Sequence, residues 1–338
     1  MTFIIGNKYE IIEEIGQGSF GKVFRGKHIR TSEEVAVKIQ FKSIVNVLQH
    51  EAKIYKQLEN IIGIPTMRNY GQEDGFHYLI LDYLDKPLDK LMVTKPECLS
   101  FFIEAIKAIE TIHKAGIIHR DIKPDNLMIK ERNTNTTTIT ETPDIYIIDF
   151  GLSKWFLDSS GNHIKEKTNK AMVGTIKYSS INIHNGIEPS RRDDIESLCY
   201  SFMSLYEKEL MWAKLCDELK KTPEIDETRV DETRVDETRI DETRIDETRI
   251  DETRIDETRI DETRVDETRV DETRKKIVCE KIKKLKLDYN LFIDLPGEFI
   301  AILLYVRNLK FEEAPNYKYI INILKNLLDN FSHSNKLN

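Results

Sequence analysis

The stretch His119-Arg120-Asp121-Ile122-Lys123-Pro124-Asp125-Asn126 constrains this chain more than any other. The apolar pair Ile117-Ile118 precedes it and the short apolar run Leu127-Met128-Ile129 follows, so its polar groups are held on one tight loop between buried segments. Four residues separate Asp121 from Asn126. Such a loop can bring together a proton acceptor for a hydroxyl, a cation for a phosphate and a ligand for Mg²⁺, the parts that phosphoryl transfer requires. A charged surface turn could read the same way. The remaining parts of such a site, in order along the chain, decide between the two.

They are present. Tyr9 to Ile15 and Val23 to Arg25 are predicted strands, joined by Gly16-Gln17-Gly18-Ser19-Phe20-Gly21. Val35 to Ile39 is a third strand, reached through the polar turn Thr31-Ser32-Glu33-Glu34. Glycines let backbone N–H groups lie close to an anion, because no Cβ blocks the approach. They sit in a β-hairpin rather than at the start of a helix, which disfavours a dinucleotide site. A helix is predicted from Ile44 to Leu58, with Val47, Leu48, Ile54, Tyr55 and Leu58 on its apolar face and Glu51 on the same stripe. A carboxylate facing inward is costly unless paired. Lys38, the one charge in the third strand, is the obvious partner; otherwise Glu51 borders the stripe and is solvated. Together the hairpin, Lys38 and Glu51 make a clamp for ATP phosphates, Lys38 on the α- and β-phosphates and Glu51 orienting it.

Tyr78 to Leu81 reads as a buried strand running into Asp82-Tyr83-Leu84-Asp85, where a small N-terminal lobe (residues 1–84) hands over to a larger one (85–330). Backbone groups of Asp82 to Leu84 would face an adenine. Ser100 to Lys114 is an amphipathic helix with Phe101, Phe102, Ala105, Ile106, Ala108, Ile109 and Ile112 inward, leading into the opening loop. Residues 131–143 are polar and low in complexity and read as an exposed loop. Ile145 to Ile148 then runs into Asp149-Phe150-Gly151, and an acid at the end of an apolar strand suits a metal ligand at the floor of a cleft.

Hydrophobic content of 40% over 338 residues supports a sizeable core, and no apolar run approaches the ~20 residues that cross a bilayer. Met1-Thr2-Phe3-Ile4-Ile5 has neither the basic region nor the apolar length of a signal peptide. Cys98, Cys199, Cys216 and Cys279 lie far apart, with no metal-type or C-x-x-C spacing, and read as reduced packing thiols. An intracellular, cytoplasmic protein is expected. The net charge of −8 belongs to one segment: residues 225–274 are ten copies of Ile/Val-Asp-Glu-Thr-Arg, each with two acids and one base, which leaves the rest of the chain at +2. So small a balance gives no nucleic-acid footprint.

With these residues in place, the sequence resembles eukaryotic-type protein kinases and, among them, the casein kinase I family. The general signatures are Gly16, Gly18, Gly21 and Val23, then Lys38, Glu51, His119 to Asn126 and Asp149-Phe150-Gly151. The narrower ones are Gly63-Ile64-Pro65-Thr66, Ser180-Ile181-Asn182 where most kinases have Ala-Pro-Glu, the run from Gly186 to Leu198, and Leu309 to Tyr317. The likeness covers about residues 6–330 apart from the repeat. It implies an α+β bilobal kinase fold: a small antiparallel β-sheet N-lobe with one helix and a larger, mainly α-helical C-lobe. It further implies Ser/Thr specificity, an ATP site of Ile15, Gly16, Gly18, Gly21, Val23, Lys38, Asp82 and Leu84, Asp121 as base, Lys123 steadying the γ-phosphate, and Mg²⁺ on Asn126 and Asp149. Arg120, Lys154 and Lys170 match the family's anion pocket, implying protein substrates with acidic or phosphorylated residues upstream of the target; ordinary solvated lysines are the alternative for Lys154 and Lys170. Arg191 matches a further anion-binding arginine, but Ala213 and Lys214 stand where its usual companions would be. Cys199 replaces a glycine in the helix expected to begin at Asp194, a packing change. The family pattern also implies activity without phosphate at Thr175. A monomer that binds neither nucleic acid nor membrane is expected, with a short tail at 331–338.

The repeat has no helical or strand period, since its Ile/Val positions advance 140° per copy at the helical 100° per residue. Asp226 and Arg229 stand at i, i+3, as do Arg229 and Glu232, but such pairs are worth only ~0.2–0.5 kcal/mol each. A solvated or partly helical insert is expected; an acidic docking arm or a pseudosubstrate-like screen over the basic pocket is the functional rival. The rival for the whole chain is a catalytically inactive kinase-fold scaffold that binds partners through the repeat. The complete set Lys38, Glu51, Asp121, Asn126 and Asp149 argues against it.

Overall fold

A computed structural model describes residues 3–18, 21–41, 46–130, 144–220 and 272–334. Ser19, Phe20, the expected helix start at Ile44, the loop 131–143 and repeat residues 225–271 lie outside the described residues. The chain divides into two compact units, Met1–Met211 with Asp288–Asn338, and Trp212–Leu287.

The first unit holds the small lobe and the large lobe apart from residues 212–287. In the small lobe, strands β1 (Ile4–Ile5), β2 (Tyr9–Gly18), β3 (Gly21–His28), β4 (Glu34–Phe41), β5 (Met67–Glu73) and β6 (Phe76–Asp82) form one antiparallel sheet in the order β1-β2-β3-β4-β6-β5. Side chains alternate across a strand. Val35, Val37 and Ile39 of β4 therefore join Ile5, Tyr9, Tyr78 and Ile80 in a buried cluster, while Ala36 and Lys38 line a cleft on the opposite face. The expected strands lengthen: β2 and β3 continue through Gly16, Gly18 and Gly21, with Gly16 opposite Val23 and Gly18 opposite Gly21. β2 bulges between Ile11 and Glu13 and again between Glu14 and Gly16. β5 has no counterpart in the sequence reading, because Met-Arg-Asn-Tyr-Gly-Gln-Glu lacks clean alternation and carries a glycine.

Helix α1 (Val47–Gln57) begins at Asn46, whose side-chain oxygen accepts the Gln49 N–H at 2.9 Å, satisfying one of the orphan donors of a helix start. Leu58, expected within the helix, is its C-cap, with its N–H on the Ile54 carbonyl at 3.0 Å. In the large lobe, α2 (Lys95–Lys114) starts five residues before the expected Ser100. The cause is a capping box: the Thr94 N–H reaches the Glu97 carboxylate at 2.8 Å and the Glu97 N–H reaches the Thr94 hydroxyl at 3.4 Å, with Pro96 in the first turn. The short strands β7 (Lys86–Pro87), β9 (Leu127–Ile129) and β10 (Ile145–Ile147) form a three-stranded sheet. β8 (Ile117–Ile118) pairs with β11 (Lys154–Trp155). After the one-turn α3 (Ile181–His184), α4 (Arg191–Glu207) is buried almost all round, which marks the central helix of a lobe. Phe102 of α2 stacks on Phe202 of α4 with centroids 4.5 Å apart. α7 (Gly297–Arg307) packs on α4, and α8 (Tyr317–Ser334) packs on α2 and runs into the stretch expected to be tail.

The second unit contains α5 (Ala213–Lys220) and α6 (272–287), whose first residues are the last of the repeat. Within it Arg274 donates to the Glu218 carbonyl at 3.0 Å and the buried Lys286 ammonium lies 5.4 Å from the Trp212 ring centroid. The chain thus has eight helices among the described residues and the bilobal α+β fold expected. None of the described helices is long and apolar enough to cross a membrane.

Candidate active site

A cleft of about 680 Å³ separates the sheet from the large lobe and collects nearly every residue singled out in the sequence. Ile15, Gly16, Gly21, Val23, Ala36 and Lys38 line it from the sheet, Glu51 from α1, Asp82 to Asp85 from the connection, and Asp121, Lys123, Asn126, Asp149, Gly174 and Thr175 from below. Gly18 instead closes the hairpin opposite Gly21. Gly21 has φ +143, and a Cβ there would meet the Ile39 carbonyl oxygen at 2.0 Å, so only glycine allows β3 to pass so close to β4. Asp82 lines the cleft, but its carboxylate is engaged outside it, by Arg68 Nε at 2.6 Å and the Thr66 N–H at 3.1 Å.

Lys38 is the centre of the site. Its ammonium lies 2.7 Å from Glu51 Oε2 and 2.7 Å from Asp149 Oδ1. Glu51 is 1% exposed, so the inward-facing reading holds and the solvated one does not. Burial works against the charge on Lys38, yet the two carboxylates raise it above the ordinary lysine value. Burial also tends to raise the Asp149 carboxyl, but Lys38 overcomes this and holds it low, in the ionised form. The Glu51 carboxyl is raised by burial and opposed by Lys38. Asp149 has φ +66. Its N–H reaches Tyr55 Oη at 3.3 Å, and the buried Phe150 ring stands between Tyr55 and His119, each with its centroid 5.0 Å away.

Below, Asp121 accepts the Thr175 N–H and hydroxyl, both at 2.8 Å, and lies 3.0 Å from Lys123 Nζ, which also donates to Thr175 Oγ1 at 3.2 Å. The Asn126 amide nitrogen donates to the Asp121 carbonyl at 2.9 Å, leaving its carboxamide oxygen as the donor atom for a cation. Gly174 has φ +80, and a Cβ there would lie 2.4 Å from the Arg120 carbonyl oxygen. The loop itself is suspended from α4. The buried Asp194 accepts the His119 N–H at 2.7 Å and the Arg120 N–H at 2.8 Å, which fixes Arg120 at φ +68. Sequence reading singled out none of Gly174 or Asp194 for these contacts, and Thr175 only as a phosphorylation position.

Arg120, Lys154 and Lys170 do converge, on an unexpected centre. Glu188, 1% exposed, lies 2.7 Å from Lys154 Nζ and 3.7 Å from Lys170 Nζ. Burial would lift its carboxyl, but Lys154, Lys170 and Arg120 hold it below the usual glutamate range. Arg120 also donates from Nε to the Leu152 carbonyl at 2.5 Å. Three cations therefore face Glu188, and even with Asp194 acting on Arg120 the cluster keeps an excess of positive charge. Arg191, matched to a second anion site, lies over the Phe156 ring at 4.7 Å and donates to the Glu312 carbonyl.

The donor set can be tested against a divalent ion. Among the described residues no three His, Cys, Asp or Glu side chains are grouped to cage a metal. One ionised carboxylate and one amide oxygen, open to a cleft, instead suit Mg²⁺, which keeps waters and shares phosphate oxygens rather than taking a full protein cage. A family model, described as protein kinase domain, matches residues 9–283. The chain belongs to that family, whose members generally use ATP and Mg²⁺ to phosphorylate proteins.

Proposed function

We propose that this chain is an active Ser/Thr protein kinase of casein kinase I type, acting on acidic or already phosphorylated protein substrates. The observation that carries the reading is Lys38 held at 2.7 Å by both Glu51 and Asp149 in a cleft that also contains Asp121 and Asn126. A scaffold has no need to hold an ammonium between a buried carboxylate and a second one that opens onto the cleft. In this reading the substrate hydroxyl oxygen attacks the γ-phosphorus of ATP. Its proton passes to the Asp121 carboxylate, and the bond from the γ-phosphorus to the β–γ bridging oxygen breaks to leave ADP. Ile15, Gly16, Gly21 and Val23 cover the nucleotide, the backbone of Asp82 to Leu84 meets its base, Lys38 holds the α- and β-phosphates, and Lys123 steadies the γ-phosphate. Mg²⁺ held by Asn126 and Asp149 would neutralise phosphate charge. Such catalysis is positioning and electrostatics with no covalent step on the enzyme. The positive excess around Glu188 supports a preference for substrates bearing phosphate or carboxylate upstream of the target.

The test is transfer from Mg·ATP to a serine peptide with phosphoserine three residues upstream, compared with its unphosphorylated twin and with Asp149→Asn. Transfer that favours the primed peptide and falls by at least about a hundredfold in the variant is the expected result. Transfer without preference removes the substrate assignment and keeps the kinase. No transfer from folded protein that binds ATP brings the scaffold reading to first place.

A further inference from the structure

Helix α1 carries Glu51, so whatever holds α1 sets the geometry of Lys38. Its inner face is packed by Leu48, Ala52, Ile54 and Tyr55. The other side is fastened as well. His50 and Gln57 stand seven residues, about two turns, apart and so share one face of the helix. Trp155 of β11 lies across both. Its ring meets His50 edge-on at 5.2 Å, and its indole N–H donates to Gln57 Oε1 at 2.6 Å. His50 Nε2 lies 2.8 Å from the Ser153 carbonyl oxygen, and the Gln57 amide donates to the Ala115 carbonyl at 2.7 Å. The far ends are rigid. Trp155 pairs with Ile117 in the β8–β11 ladder, Phe156 N–H holds the Gly116 carbonyl at 2.9 Å, and Ala115 is the C-cap of α2.

We infer that His50, Gln57 and Trp155 form a clasp that holds α1 against the segment following Asp149-Phe150-Gly151 and so positions Glu51 on Lys38. The three act through Glu51 and touch no substrate; they are positioning residues, and their role rests on the kinase reading above. The clasp uses no phosphate. It supplies from fixed side chains the restraint that would otherwise need an added charge on the segment, in keeping with activity that requires no phosphate at Thr175.

The experiment compares wild type with Trp155→Ala, Gln57→Leu and His50→Leu, and with His50→Gln, which keeps an N–H donor. Steady-state transfer is measured beside calorimetric titration with Mg·ADP. A released α1 lowers the fraction of molecules competent for nucleotide, and apparent affinity falls by that fraction while saturating nucleotide restores the competent state. Trp155→Ala is expected to raise KM for ATP and Kd for ADP about tenfold, with kcat within about threefold. His50→Gln should recover most of what His50→Leu loses. In a Glu51→Gln background, Trp155→Ala should add less than about twofold, since the clasp then has nothing to position. Unchanged KM and Kd would overturn the inference. So would a fall in kcat at constant KM with a lower melting point, which reports fewer folded molecules. If wild type binds ADP but transfers no phosphate, the kinase reading fails, and the ADP titrations still judge the clasp.

Discussion

Lys38 remains a cation at the cleft because two carboxylates share it, while its β4 neighbours Val37 and Ile39 point to the opposite face and are buried there. The same logic of paired burial governs the loop beneath. His113 is 3% exposed, with Nε2 2.9 Å from Asp194 Oδ2 and Nδ1 2.6 Å from Tyr317 Oη. A neutral imidazole that donates from Nε2 and accepts the tyrosine O–H at Nδ1 satisfies all three groups. Burial accordingly lowers its pKa below the ordinary 6.5, and Asp194 opposes this without reversing it. The folded state thus binds fewer protons than the unfolded chain. This contribution to stability is complete above pH 6.5 and is lost as pH falls through the depressed folded value. Asp193 acts in the opposite sense: burial pushes its carboxyl up from 3.8 to about 6, so its contribution is complete below 3.8 and lost as pH rises through about 6. Comparison of wild type with His113→Gln isolates the first. Urea unfolding between pH 7.5 and 5, a range of about 2.5 units around the ordinary histidine value, should show wild type losing more stability than the variant on acidification. Parallel curves would assign the acid sensitivity elsewhere.

At the scale of elements, α2 illustrates a boundary set by capping rather than by the apolar stripe. Its inward residues suggest a start at Ser100, yet the reciprocal bonds of Thr94 and Glu97 carry the helix back to Lys95. The Thr94 backbone and hydroxyl bonds hold the Glu97 carboxyl below its ordinary value. Thr94→Ala is expected to cost about 1 kcal/mol and lower the melting temperature by about 2 °C. Peptide phosphorylation should be unchanged, because the cap and the loop entered from the other end are about 30 Å apart along the helix. A large loss of activity at unchanged stability would mean that the cap reaches the site by some other path. α4 was expected to begin at Asp194 and begins at Arg191, and its role is harder still to read. It is polar in sequence yet buried, since its Asp193, Asp194 and Glu196 are all spent on internal bonds; Glu196, for example, lies 3.0 Å from Arg307 Nε.

At the scale of the molecule, the residues of the candidate site all belong to one compact unit, and the repeat belongs to the other, between α5 and α6. Its ten units carry the whole acidic excess of the chain. Deletion of residues 225–274 should leave phosphorylation of a short peptide within a few-fold, because every group that lines the candidate site belongs to the first unit and none to the repeat. Simultaneous collapse of melting behaviour and activity would show that the insert is structural. A rise in activity on primed peptides alone would favour the screen over the basic pocket.

The loop from His119 to Asn126, the strand lysine, the helix glutamate and Asp149-Phe150-Gly151 were legible in the sequence because each is a local pattern: a polar group at a fixed place in an apolar frame. The bilobal α+β architecture was legible through the resemblance to protein kinases that these local patterns carry. Tertiary structure alone decided who meets whom. Thr175 reaches Asp121 across 54 positions, Asp194 reaches the His119 N–H across 75, and Glu188 reaches Lys154 across 34. It also decided that Lys38 bridges to Asp149, 111 positions away, as well as to Glu51. A buried charge must find its counter-charge wherever the fold brings one. Composition and periodicity show that such a partner is required, and only the packed chain determines which residue supplies it.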